Sequence, residues 1–85
     1  MAKIEIYSGD FCPYCSKAKS LLKRKGVTFT EYNVRKDMAR QSEMLERSGG
    51  ARTIPQIFIN DHHVGGCDDL YALEQRGELD TLLGE

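Results

Sequence analysis

Apolar and polar residues alternate over 3–7, with Ile4 and Ile6 on one side of the chain, and this period of two predicts a strand. Beyond the loop Ser8-Gly9-Asp10-Phe11 the period lengthens. Ala18, Leu21 and Leu22 recur with Tyr14 or Cys15 at helical spacing, which predicts a helix over 16–25. Gly26 offers the left-handed position that ends it. Residues 27–34, rich in β-branched and aromatic side chains, read as a second strand. A strand, a helix and a strand on short links predict a βαβ unit with parallel strands and a right-handed crossover.

In the second half Asp37 suits a helix N-cap, followed by an incomplete apolar stripe of Met38, Met44 and Leu45 and by a stop at Ser48-Gly49-Gly50. Pro55 opens Gln56-Ile57-Phe58-Ile59, too short for a helix and apolar enough for a buried strand. Asn60-Asp61-His62 has turn chemistry, so His63-Val64-Gly65 is expected to return antiparallel, with His62 and His63 exposed in the hairpin turn rather than bound to metal. Asp68 and Asp69 favour a helix N-terminus, Leu70 and Leu73 give that helix an apolar face, and Gly77 ends it. Leu79, Leu82 and Leu83 fit one more short helical turn. The expected architecture is α/β, one domain over 1–85: a four-stranded mixed sheet flanked by helices on both faces, with the Ile57-Phe58-Ile59 strand central.

Composition narrows the class of function. Charged residues make up 29% and hydrophobic ones 40%, with acid and base nearly balanced, which describes an ordinary globule and gives no footing for nucleic acid. The N-terminus lacks the apolar stretch of a signal peptide and no run is long enough to span a bilayer, so a cytoplasmic protein without membrane contact is expected. Three cysteines, an odd number, argue against a secreted disulfide framework and suit a reducing compartment. The one marked charge cluster is Lys17, Lys19, Lys23, Arg24 and Lys25, readable as a solvated face or as a docking surface for acidic partners.

Cys12-Pro13-Tyr14-Cys15, between the first strand and the first helix, carries the chemistry. Positions i and i+3 share one helix face, so two such thiols can close a small disulfide. A cysteine in the first helical turn meets unpaired backbone N–H groups and the positive end of the dipole, both of which favour thiolate. Cys12 is therefore the expected nucleophile and Cys15 the resolving thiol that releases a mixed disulfide. A structural zinc site uses the same spacing but needs two more ligands, and Cys67, His62 and His63 form no second two-residue-spaced pair, so no metal is expected.

The dithiol, then Thr53-Ile54-Pro55, then Gly65-Gly66-Cys67-Asp68-Asp69 follow in the order and spacing of glutaredoxins, and the chain resembles that family's dithiol members over essentially its whole length, most of all the short bacterial glutaredoxin 3 type. The resemblance implies a thioredoxin fold and glutathione-dependent reduction of protein disulfides and glutathione mixed disulfides, with ribonucleotide reductase among the possible acceptors. It implies no bound cofactor, glutathione as co-substrate, glutathione reductase acting indirectly through glutathione, and a monomer. Thr53-Ile54-Pro55 resembles the segment whose cis proline exposes the Ile54 backbone to an extended glutathione, against the plainer alternative of a trans proline opening a strand. Gly66, Cys67 and Asp68 resemble the site for the γ-glutamyl end, with Asp68 pairing the amino group and Asp69 beside it, unless both aspartates merely cap the helix. Tyr14 either flanks the tripeptide or covers surface; Cys67 is either an inert buried thiol or a regulatory one.

Many glutaredoxins carry a lysine in the loop before the nucleophile, where this chain has Ser8-Gly9-Asp10-Phe11, and Asp10 has the wrong sign for a nearby thiolate. The helix N-terminus acts at contact distance while an exposed Asp10 is screened, so thiolate is still expected to be favoured. Arg52 or Arg40 is the expected replacement cation. Two other functions share the motif. One is a glutathione-ligated iron–sulfur carrier, against which Pro13 argues; the other is a thioredoxin-like donor coupled to thioredoxin reductase.

Overall fold

The computed structural model describes residues 2–84. β1 (Ile4–Ser8) lies inside a four-stranded sheet of order β2-β1-β3-β4. It runs parallel to β2 (Thr30–Asn33) and antiparallel to β3 (Gln56–Ile59), which pairs antiparallel with β4 (His62–Gly65). Every residue of β1 and β3 is buried, as expected of strands covered on both faces.

The period of two divides these strands between two environments. Ile4, Ile6, Ile57 and Ile59 face α1 (Pro13–Arg24), α3 (Cys67–Gln75) and α4 (Leu79–Leu83), which bring Ala18, Leu21, Leu22, Leu70, Leu79 and Leu83. Tyr7 and Phe58 face the other way with Val34, toward α2 (Met38–Arg47) and its one buried residue, Met44. Fully burying one such aliphatic side chain stabilises by about 1.5–3 kcal/mol. On the α2 side polar groups complete the contact. The Tyr7 hydroxyl donates to Glu43 and accepts from Arg47 Nη1 at 2.7 Å, Arg47 Nη2 donates to Glu5 Oε1 at 3.0 Å, and the Tyr32 hydroxyl donates to Glu5 Oε2 at 2.9 Å. Among the described residues no buried side-chain nitrogen or oxygen is left without a partner.

Four expectations need correcting. α1 begins at Pro13, not at 16, because proline suits the first helical position and Cys12 caps it. β2 is shorter than 27–34: Val27 and Phe29 pack on the aliphatic core without joining the ladder, so their apolar character marks burial rather than pairing. Met38 is exposed; Met44 is the buried member of the apolar stripe, and Arg40, Glu43 and Arg47 complete the inward side of α2. The hairpin closes on two residues, Asn60 (φ 51°) and Asp61 (φ 66°), which places His62 and His63 in β4. His63 is half-buried and stacks on Phe58, ring centroids 4.9 Å apart.

Candidate active site

Short-range geometry sets the roles of the two cysteines. Cys12 is the N-cap of α1, in extended conformation, and its Sγ accepts from the Cys15 backbone N–H at 3.1 Å. The structure holds the pair as a disulfide with Cα atoms 5.2 Å apart. Cys12 is half-exposed, whereas Cys15, one helical turn on, is buried. An incoming disulfide can therefore reach Cys12 but not Cys15. On reduction, the N–H groups of the helix start and the dipole behind them face the Cys12 sulfur, where negative charge is stabilised.

The Ile54 carbonyl oxygen lies 4.0 Å from Cys12 Sγ, and the Ile54–Pro55 peptide bond is cis. From there a groove of about 410 Å³ runs toward α3. Thr53, Ile54 and Pro55 form one wall, Gly66, Cys67, Asp68 and Asp69 the other, and Tyr14, largely exposed, stands at its edge. The cap of α3 is Gly66, whose N–H donates to Asp69 Oδ2 at 3.0 Å, so Asp69 is engaged as a cap while Asp68 is exposed along the groove. Gly65, at φ 119°, is required here: a side chain would run into the Asp69 carboxylate. Cys67 is buried within the aliphatic core behind the groove, and burial pushes its thiol pKa up.

The loop before the nucleophile compensates for Asp10 in an unexpected way. Asn33 Nδ2 donates to the Asp10 carboxylate at 3.1 Å and Lys36 Nζ lies 3.5 Å from it, so its charge is partnered on the side of the β2–α2 loop. Arg35 crosses over Gly9, filling the space a side chain there would need, and donates to the Asp10 carbonyl. Neither Arg52 nor Arg40 lines the groove. Arg40 donates to both Glu43 oxygens at 3.1 Å and stacks over Tyr32, while Arg52 is exposed.

The basic cluster is largely turned to its own chain. Lys25 pairs with Glu74 at 2.6 Å and Asp80 at 2.9 Å, Lys19 with Glu31 at 2.8 Å, and Lys17 sits over the Tyr71 ring. Three groove residues lie outside the motifs read from the sequence, Ala51, Gln56 and His63. The available signal was Gln56 itself, a polar residue in an otherwise apolar buried run. Among the described residues no three His, Cys, Asp or Glu side chains converge as a metal-binding group, and no helix is long and apolar enough to cross a membrane.

A family model described as Glutaredoxin matches residues 4–64. Glutaredoxin 3 of Escherichia coli is 55% identical over 83 residues, which cover 98% of this chain and 99% of that protein. Among solved structures, the crystal structure of a buckwheat glutaredoxin–glutathione complex matches with a TM-score of 0.88 at 29% identity, over 98% of this chain and 77% of that one. The solution structure of a glutaredoxin from Brucella melitensis matches with a TM-score of 0.83 at 54% identity, over 98% and 89%. The likeness read from three short motifs thus extends along the chain, and the mixed sheet with helices on both faces is the thioredoxin fold those structures share.

Proposed function

The chain belongs to the glutaredoxin family and is a thiol–disulfide oxidoreductase, and on that premise we propose that glutathione is its electron donor and co-substrate. The observation that carries this reading is the groove between Thr53-Ile54-Pro55 and Gly66-Cys67-Asp68, whose wall residue Ile54 puts its carbonyl oxygen 4.0 Å from the accessible sulfur of the pair. An extended tripeptide lying there would pair with the Ile54 backbone as an added strand does. Its γ-glutamyl carboxylate would face the N–H groups of the α3 N-terminus and its amino group Asp68, with Tyr14 along its flank.

The reaction follows from the asymmetry of the cysteines. The Cys12 thiolate attacks one sulfur of a substrate disulfide, forming a Cys12 mixed disulfide and expelling the other sulfur as thiolate, which takes a proton from solvent. For a protein disulfide, Cys15 then attacks Cys12 Sγ and frees the second substrate thiol, leaving the Cys12–Cys15 disulfide seen here. For a glutathionylated protein, Cys12 takes the glutathionyl group and a second glutathione removes it. Two glutathiones restore the dithiol and leave as glutathione disulfide, which glutathione reductase recycles without touching this protein. In this reading residues 1–85 act as one monomeric domain in the cytoplasm, with no resident cofactor, on disulfide and glutathionylated proteins that include ribonucleotide reductase.

The test is a pair of substitutions. In an assay coupled to glutathione reductase and NADPH, Cys15→Ser should keep reducing a small glutathione mixed disulfide while losing protein-disulfide reduction, and Cys12→Ser should lose both. Loss of both in Cys15→Ser would contradict the scheme. Wild-type turnover through thioredoxin reductase and none through glutathione would favour the thioredoxin-like donor.

A further inference from the structure

Gln56 is buried beneath the groove and its side chain joins two of the groove's elements. Its Nε2 lies 3.0 Å from the Thr53 carbonyl oxygen and 3.2 Å from Thr53 Oγ1, while its Oε1 lies 2.6 Å from His63 Nε2. The direction of these bonds follows from chemistry. A carbonyl can only accept, so the amide nitrogen must face Thr53 and the amide oxygen His63. His63 Nε2 therefore carries a hydrogen and donates it. Gln56 Nε2 donates to both Thr53 oxygens, so Thr53 Oγ1 is an acceptor in this contact and the hydroxyl's own hydrogen is left to donate elsewhere. Thr53 is exposed along the groove, and among the described residues its hydroxyl has no protein acceptor.

The base of this relay is packed between rings and a guanidinium. His63 stacks on Phe58 with an interplanar angle of 27°, and the Arg47 guanidinium lies 4.1 Å from the centre of the same ring. The geometry points to His63 as a positioning residue that, through Gln56, fixes the Thr53-Ile54 segment and presents the Thr53 hydroxyl as a donor to a carbonyl or carboxylate oxygen of the bound thiol substrate. This inference rests on the glutathione reading and adds a specificity element to it: a ligand acceptor opposite Thr53.

His63→Phe keeps a ring on Phe58 and removes the donor; Thr53→Val removes the hydroxyl and Thr53→Ser keeps it. Each of His63→Phe and Thr53→Val should raise KM for a glutathione mixed disulfide about three- to tenfold, the effect of roughly one hydrogen bond. The kcat should stay within about twofold, and Thr53→Ser should keep the wild-type KM. Long-range proton–nitrogen NMR of the ligand-free protein should find Nε2 of His63 protonated. An unchanged KM in both His63→Phe and Thr53→Val, an equal loss in Thr53→Ser, or an unprotonated Nε2 would overturn the assignment. Absence of wild-type turnover with the glutathione mixed disulfide would instead defeat the functional reading, and the relay would then be decided by the NMR result alone.

Discussion

On the face covered by α1, α3 and α4, Ile4, Ile6, Ile57 and Ile59 meet Leu21, Leu22, Leu70 and Leu79; on the α2 face, alternate residues of the same strands, Glu5, Tyr7 and Phe58, meet Arg47, Glu43 and Tyr32. Hydrocarbon contact is non-directional, so the first face holds α1 by area and fit, and with it Cys15 and the cap position of Cys12. Charged contact is directional, so each group on the second face depends on its partner. Burial pushes the Glu5 carboxyl pKa up, yet hydrogen bonds from Arg47 and Tyr32 and the charge of Arg47 outweigh it and hold the group below its ordinary value. Burial, with the bond to Glu43, pushes Tyr7 up to about 12. The groove draws on both: its nucleophile is carried by the aliphatic face, and its Thr53 wall is tied through Gln56 and His63 to the Phe58 side.

Substitutions on the two faces should therefore fail differently. Leu22→Ala removes a fully buried side chain and should cost about 3 kcal/mol in denaturant unfolding; a loss below about 1 kcal/mol would mean that this face repacks freely. Arg47→Met should cost somewhat less, about 2 kcal/mol, because the guanidinium is a quarter exposed while the Glu5 it abandons is buried. Adding Glu5→Leu to Arg47→Met should recover more than half of that loss, since the stranded charge is gone. Simple additivity of the two would show that they are not coupled.

The smallest effect separates the faces by pH. Glu31, bonded to Lys19 and Ser8, and Glu43, bonded to Tyr7 and Arg40, join Glu5 in having lowered pKa values. Below the ordinary value of 4.5 the unfolded chain binds more protons than the folded one, so stability present above that pH is lost as pH falls through the folded values. Arg47→Met should flatten this acid slope, whereas Leu22→Ala should lower the whole curve and leave the slope alone. Acid titrations of unfolding on the three proteins measure this, and parallel curves for all of them would remove Arg47 as its source.

Much of the fold was legible because it rests on local chemistry. The period of two in β1, the Asp37 cap, whose Oδ1 accepts from Ala39 N at 3.0 Å, and the glycine at φ 73° after α1 each depend on residues a few positions apart. Two of the errors share one cause. Apolar residues at 27 and 29 and at Met38 report a preference for burial without saying against what, and Val27 and Phe29 found the core as loop residues while Met38 found solvent. The length of the hairpin turn is not visible locally; a turn of two residues rather than three brings His62 into β4 and sets His63 opposite Phe58.

The sequence alone determined the order of the elements, a dithiol at the head of a helix and the series of motifs that makes the chain a glutaredoxin, since all of these are matters of neighbouring residues and spacing. Only the tertiary structure decided which sulfur is open, that Arg35 lies over the residue where a loop side chain would stand, and that Arg47 reaches Glu5 across 42 positions. Those outcomes depend on strand register and helix placement, which bring together side chains whose pairing no local pattern encodes.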